Sequence, residues 1–142
     1  MAIKQLSVFV ENKPGKLVDT VRAISAADIN IRAMSIADTK DFGILRLIVS
    51  DNEEAAAALN EDTIVTTTQV IAVKMDDKAG ALCNILSVLS DGGINVEYMY
   101  AFTASTNFGA YVVVRVDDVA AAEKVLHDKN IDTLDESDIQ AL

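Results

Sequence analysis

Two short stretches, each leading into a helix, decide the fold: ENKPGKL at residues 11–17 and DDKAGAL at residues 76–82. Each follows an alternating apolar segment of the kind that forms a half-buried strand. Placing Gly15 over Gly80 sets an offset of 65 residues between the two stretches. Internal similarity at a fixed spacing indicates structural repeats, so the chain is predicted to consist of two copies of one module.

The repeat continues beyond these stretches. At the same offset, Asn30-Ile31 lies over Asn95-Val96. One added residue in the following turn then moves the offset to 66, so that Leu47 lies over Val113. Glycines, asparagines and apolar positions all keep this alignment. Chance is therefore a poor explanation, and we predict two modules at residues 1–69 and 70–142.

Each repeat has the element order βαββαβ. The first copy is predicted to contain a strand at 6–10, a helix from Leu17 to Asp28, strands at 31–38 and 42–49, a helix capped by Asp51 or Asn52 that reaches Leu59, and a strand at 63–68 that continues toward 70–75. This order is typical of the split βαβ, ferredoxin-like arrangement. We therefore expect an α+β fold with antiparallel sheets and helices on one face.

The third strand of each repeat is apolar on both faces. In the first repeat this pattern covers residues 44–48, and in the second Tyr111 and Val113 alternate with Val112 and Val114. A sheet whose second face is also apolar needs a second cover. We therefore expect a homodimer that buries the helix-free faces, with Val112 in the interface.

Composition and charge exclude several kinds of partner. The chain has 142 residues, of which 51% are hydrophobic and 24% charged, typical of a globular protein. Its net charge of -10 disfavours binding to nucleic acid and to anionic membranes. No apolar run approaches the roughly 20 residues of a membrane span, and the start of the sequence lacks the apolar core of a signal peptide. With a single cysteine, Cys83, a cytoplasmic protein is expected.

Residue types that support catalysis or metal binding are scarce. His127 is the single histidine, so neither a His/Cys metal cluster nor a Ser-His-Asp arrangement is expected. We predict no enzyme activity, no metal and no cofactor, and we expect His127 on the surface of the last helix. Cys83 takes the position of Val18 and is predicted to be a small packing residue. Asp117-Asp118 is predicted to cap a helix, and residues 135–138 to form a solvated tail.

These motifs resemble the ACT domain, a small-molecule regulatory module of amino-acid metabolism. The resemblance rests on residues 11–17 and 28–31 in the first repeat and on residues 76–82 and 93–96 in the second. It covers nearly the whole chain twice. The chain is similar to free-standing proteins of paired ACT modules, also in the strand at residues 97–102.

The resemblance implies that an amino acid binds where two modules meet edge to edge, between the strand–helix loop of one and the second strand of the other. By matching positions, the stronger site consists of Asn12, Pro14, Gly15, Lys16 and Leu17 with Asn95, Val96 and Tyr98. The weaker site consists of Asp77, Gly80, Ala81 and Leu82 with Asn30 and Ile31. It departs from the family pattern because Asp77 and Ala79 stand where Asn12 and Pro14 stand in the first copy.

Elementary chemistry of the loop favours the same ligand. The N–H groups of Gly15, Lys16 and Leu17 open a helix and have no intrahelical partners, which favours an anion such as an α-carboxylate. Asn12 offers both a donor and an acceptor to a zwitterion. In the second copy the Asp77 carboxylate is expected to cap the helix itself and to repel a ligand carboxylate. The loop is equally compatible with a good helix start that binds nothing.

Three functions remain open at this stage. The first is a stand-alone amino-acid sensor, in which a ligand held between modules changes assembly or partner affinity. The second is a regulatory subunit of a biosynthetic enzyme, similar in role to the small subunit of acetohydroxyacid synthase. The third is a purely structural dimerisation module. The aromatic face of Tyr98, Tyr100 and Phe102 fits a pocket wall and a packed interface equally well.

Overall fold

The computed structural model describes residues 2–59, 61–103 and 109–142. The chain divides into two compact units. The first is Lys4–Thr68, and the second is Gln69–Leu142 together with the first residues of the chain, through Ile3. They are called here the first and the second module. Both are antiparallel α+β modules of βαββαβ type, which confirms the predicted fold class.

The elements of the first module are close to those predicted. They are β1 (Ile3–Glu11), α1 (Lys16–Ala26), β2 (Ile31–Asp38), β3 (Phe42–Val49), α2 (Asn52–Ala58) and the first residues of β4 (Val65–Met75). The strands lie in the order β2-β3-β1, and the Phe9 N–H donates to the carbonyl of Ile64, just before β4, at 3.0 Å. Asp51 caps α2 by accepting from the Glu54 N–H at 3.0 Å, as one of the two predicted caps requires.

The second module follows without a separate linker, because β4 runs on into it as its first strand. Its further elements are α3 (Ala81–Asp91), β5 (Val96–Ala101), β6 (Ala110–Val116), α4 (Val119–Asp128), β7 (Thr133–Leu134) and α5 (Glu136–Ala141). In the second module, β4 lies between β6 and β7. The module therefore repeats the order of the first and adds α5.

Each module has its own core between its sheet and its helices. In the first, Leu6, Val8 and Val10 of β1 pack with Ile24 of α1 and Ala55 of α2. The predicted alternation of β1 is therefore correct, and it turns the apolar residues toward the helices. The core of the second module is formed by Ile71, Val73, Ile85, Leu89, Ile94, Val112, Val114, Val116, Ala122 and Leu126.

The alignment of the two repeats needs one correction after the second strand. Leu6 pairs with Leu47, and the equivalent Ile71 pairs with Val114. The offset is therefore 65 residues in the first strands but 67 in the third strands, whereas the sequence suggested 66. Because side chains alternate along a strand, this single residue exchanges the two faces of β6.

The exchange of faces changes the meaning of Val112. Val112 is 3% exposed and packs in the helix-covered core, so its predicted place in a dimer interface is wrong. Tyr111 and Val113 lie on the helix-free face instead, and Ile48 lies there in the first module. These three are already buried within a single chain, at 6%, 0% and 1% exposure. The apolar second face therefore does not call for another chain, and a homodimer stays a prediction without this argument.

The C-terminal tail is also more ordered than expected. Residues 135–138 were predicted to be solvated, but Asp135 and Asp138 form the capping box that begins α5. The helix is held down by Ile139, which is only 1% exposed. A short helix whose apolar content is a single residue leaves almost no periodic signal in the sequence.

Candidate functional site

The loop between β1 and α1 ends in a glycine with a special backbone conformation. Gly15 is the N-cap of α1 at φ 86° and ψ −18°, a left-handed conformation that side chains other than glycine's disfavour. A Cβ added to Gly15 would meet nothing within 4 Å. The backbone therefore requires glycine here whether or not a ligand binds, and the space beside the helix start is open.

The loop of the second module has the same geometry. Gly80 is the N-cap of α3 at φ 87° and ψ −11°, and the space beside it is equally open. The Lys13 N–H donates to the Glu11 carbonyl at 2.8 Å, and the Lys78 N–H donates to the Asp76 carbonyl at 2.9 Å. Replacing proline by Ala79 has not changed the turn. The two helix starts are therefore alike in backbone, and any difference between them must come from side chains.

No side chain caps either helix. The expected capping of α3 by Asp77 is therefore wrong, because the left-handed Gly80 occupies the N-cap and Asp77 lies three residues before it. Both loops carry a surface ion pair: Lys13 Nζ lies 3.2 Å from Glu11 Oε2, and Lys78 Nζ lies 3.4 Å from Asp76 Oδ2. Exposed pairs of this kind contribute little to stability. The helix N–H groups of both loops thus receive no cap from a side chain.

The predicted residues at the start of the second strands are anchored by their backbones. The Asn95 N–H donates to Asp117 Oδ1 at 3.1 Å, and the Asn30 N–H donates to Ser50 Oγ at 3.1 Å. Ile31 and Val96 then begin β2 and β5, and both strands have a bulge within their first residues. The Asn-Ile and Asn-Val motifs therefore have a structural role in both modules, namely to join the helix end to the third strand.

The aromatic residues of β5 differ in burial. Tyr100 is buried at 9% exposure, and Tyr98 and Phe102 are half-buried. The Phe102 ring packs on Tyr111 with centroids 5.6 Å apart, a favourable tilted arrangement. Tyr98, the member assigned to the stronger site, stands opposite Arg115 across the β5–β6 pair.

Within the first module the loop lines a small pocket together with β2. The pocket has a volume of about 260 Å³, and it brings Asn12, Lys13 and Leu17 beside Ile36 and Asp38. Ile36 and Asp38 were not singled out from the sequence, since they are separated from the loop by the whole of α1. The remaining predicted residues of the stronger site, Asn95, Val96 and Tyr98, belong to the second module.

The loop of the second module lines a different groove. Gly80 and Ala81 border a groove of about 480 Å³ with Lys74, Asp76 and Asn84. Leu82, also assigned to the weaker site, lies on the outer side of α3. Asn30 and Ile31, the other half of that site, belong to the first module.

The remaining singled-out residues have simple explanations. Asp118 caps α4 through the Ala121 N–H at 3.0 Å, as predicted. His127 is exposed on α4, also as predicted, although α5 is the last helix. Cys83 is exposed, so its predicted packing role is wrong. The Ser137 hydroxyl, and after it the Asp138 N–H, lowers the pKa of Asp135 by hydrogen bonding to the carboxylate.

The repeated module and its duplicated helix start agree with a comparison of the sequence with known families. The ACT domain pair matches residues 1–142. The chain belongs to the ACT domain pair family. Among proteins with curated functions, none matches this ACT domain pair significantly.

Several solved structures resemble this ACT domain pair. Protein BT0572 from Bacteroides thetaiotaomicron is 39% identical, with a TM-score of 0.91, and the match covers 100% of this chain and 98% of that one. The regulatory subunit of aspartate kinase from Thermus thermophilus, in its ligand-free form, is 14% identical with a TM-score of 0.63, covering 88% and 91%. The corresponding subunit from Thermus flavus is 12% identical with a TM-score of 0.59, covering 90% and 93%. At these identities the two subunits support the fold alone.

Two further searches of the described residues gave no feature that points to another class. No helix within residues 2–59, 61–103 and 109–142 is long and apolar enough to cross a membrane. In the same residues no group of three or more His, Cys, Asp or Glu side chains is arranged to hold a metal ion.

Proposed function

We propose that this chain is a regulatory protein that binds a free amino acid and catalyses no reaction itself. The observation that carries the proposal is the pair of open helix starts at Gly15 and Gly80, each with free space beside the N-cap and without a side-chain cap. Uncapped helix N–H groups attract a carboxylate. Membership of the ACT domain pair family supports the same ligand class.

In this proposal the stronger site uses the Asn12–Leu17 loop, together with Asn95, Val96 and Tyr98 of a second module. The ligand carboxylate lies at the N–H groups of Lys16 and Leu17, and Asn12 bonds the ammonium or carboxylate. The weaker site uses Asp77 and Gly80–Leu82, with Asn30 and Ile31. Asp77 weakens it because a second carboxylate near the ligand carboxylate is repulsive, even though it does not cap the helix.

A thermal-shift screen of the twenty amino acids tests the proposal. A ligand present at 100 times its Kd adds about 2.7 kcal/mol to the stability of the folded state. For a chain of this size we expect Tm to rise by several degrees with at least one amino acid. If none of the twenty, at millimolar concentration, raises Tm by about a degree, the proposed function is wrong and a purely structural role remains.

A second candidate is a regulatory subunit that acts on a biosynthetic enzyme. The likeness in fold to two aspartate kinase regulatory subunits favours it. Purification from native extract under mild conditions separates the two candidates. A chain that purifies alone and still responds to an amino acid supports the stand-alone sensor. Co-purification with an enzyme whose activity depends on the chain and on the same amino acid supports the subunit.

A further inference from the structure

The open end of β1 in the first module carries three exposed apolar side chains. Phe9, Phe42 and Ile64 are 37%, 46% and 63% exposed. They are close neighbours: the Phe9 N–H donates to the Ile64 carbonyl at 3.0 Å, and Phe42 pairs with Glu11, two residues after Phe9. Large apolar groups gathered in one exposed place are unfavourable in water and often mark a contact site.

These three side chains line one groove within the first module. The groove has a volume of about 410 Å³ and lies between the end of β1, the first turns of α1 and the connection from α2 to β4. Its other lining includes Leu59, Thr20, Lys16, Asp19 and Asp62. The volume is that of a small-molecule site, and the lining combines apolar groups with both signs of charge.

The second module has an equivalent groove with a different character. Its Lys74 N–H donates to the Asp132 carbonyl at 2.8 Å, the same backbone contact that Phe9 makes with Ile64. Lys74 therefore stands where Phe9 stands, and a charged residue fits this position of the module equally well. The folding of the module does not require the apolar side chain. Its presence in the first module needs another reason.

We infer that the first-module groove binds an amino acid with an apolar side chain. The side chain of the ligand packs on Phe9, Phe42 and Ile64, and its carboxylate meets the Lys16 ammonium. Asp19 and Asp62 are available to the ligand ammonium, so the groove matches both charges of a zwitterion. Asp19 also lies 3.3 Å from the Arg22 guanidinium, an exposed pair that competes only weakly.

This inference rests on the proposed function for the ligand class but names a different place. The groove lies inside a single module and shares only Lys16 with the stronger site proposed above. It also narrows the ligand to apolar amino acids, because the lining apolar surface gains nothing from a charged side chain and desolvates it.

Calorimetry with L-leucine and L-phenylalanine tests the groove, and L-aspartate serves as the charged comparison. The main variant is Phe9→Lys, which copies the residue of the second module and so keeps a side chain that the fold accepts. A second variant, Ile64→Ser, changes a residue that is 63% exposed. The matched control is Val18→Ser, which changes an apolar residue of α1 that is 50% exposed and does not line the groove.

We expect leucine or phenylalanine to bind the unaltered chain more tightly than aspartate. Phe9→Lys and Ile64→Ser should each weaken that binding at least about tenfold, which corresponds to about 1.4 kcal/mol, and Val18→Ser should leave it unchanged. If Asn12→Ala abolishes leucine binding and Phe9→Lys does not, the groove is overturned and the proposed function stands. If neither probe binds while another amino acid raises Tm, the groove is likewise overturned alone.

Discussion

The two modules agree in backbone and differ in what they expose to solvent. Their N-cap glycines have φ values of 86° and 87°, and both cores lie between equivalent strands and helices. In the described part of the chain, Met99 is the one strongly exposed large apolar residue of the second module. Those of the first module are Phe9, Leu17, Val18, Met34, Ile36, Phe42 and Ile64.

This difference teaches how to separate folding from function in a duplicated chain. Features that both copies keep, such as Gly15 and Gly80, are required by the backbone. Features that one copy has replaced without a change in backbone, such as Phe9 against Lys74, are not required by it. The second kind therefore directs attention to the first module as the place where binding is concentrated.

The largest expected effect concerns the register between the modules. Val112→Asp should lower the free energy of unfolding by about 3–5 kcal/mol, because it buries an unpaired charge among Ile85 and Leu126. Ala101→Asp is the matched control, since Ala101 pairs with Val112 but is exposed, and it should change stability by no more than about 0.5 kcal/mol. Urea denaturation measures both. A Val112→Asp chain of normal stability that only dissociates would restore the offset of 66.

The next effect compares the two loops as binding sites. Asn12→Ala should remove about 1.5–3 kcal/mol of binding, the value of a hydrogen bond to a charged group. Asp77→Asn should leave the first site intact and strengthen the second, because a repulsive carboxylate is removed. Calorimetry with an amino acid found in the thermal-shift screen measures both variants. Equal losses from Asn12→Ala and Asp77→Ala would mean that the two loops are equivalent.

A smaller and symmetric effect is expected at the two N-cap glycines. Gly15→Ala and Gly80→Ala should each lower stability by about 1–2 kcal/mol, because both residues are left-handed and neither Cβ meets another atom. Asparagine tolerates this conformation better, so Gly15→Asn should be less harmful than Gly15→Ala. Thermal and urea unfolding give the comparison. A clearly unequal pair of alanine variants would contradict the shared geometry of the loops.

The smallest effect exchanges proline between the modules. Ala79→Pro should raise stability by about 0.4–1 kcal/mol and Pro14→Ala should lower it by a similar amount, because proline restricts the unfolded chain. The double exchange should then be nearly neutral, which makes it the internal control. Destabilisation by Ala79→Pro would show that the backbone at residue 79 differs from that at residue 14.

The sequence was sufficient for the features that have a period or a local cap. The duplicated motif, the order βαββαβ and the Asp51 cap could all be predicted. The phase of β6 could not, because nearly every residue from 110 to 116 is apolar and such a run does not distinguish one face from the other. The error of one residue in the preceding turn therefore went unnoticed, and Val112 was assigned to the wrong face.

The candidate site was predictable in part for a related reason. The helix start at Gly15 has a local signature, but glycine is explained there by its φ of 86° as well as by a ligand. Sequence cannot separate the two causes. Ile36 and Asp38 reach the same pocket from another strand, and the exposed Phe9 was read as one side of an alternating strand. Such neighbours come together only through tertiary structure.

The unequal length of the two β-hairpins has a practical consequence for engineering. Met34 pairs with Leu47 and, equivalently, Met99 pairs with Val114, although the second connection is two residues longer. The added residues leave every pair below them in place. Hairpin tips that differ in length between two copies of one module are natural insertion points. An epitope or a fluorophore attachment sequence placed between Thr39 and Asp41 should therefore report on this chain without disturbing the ladder beneath it.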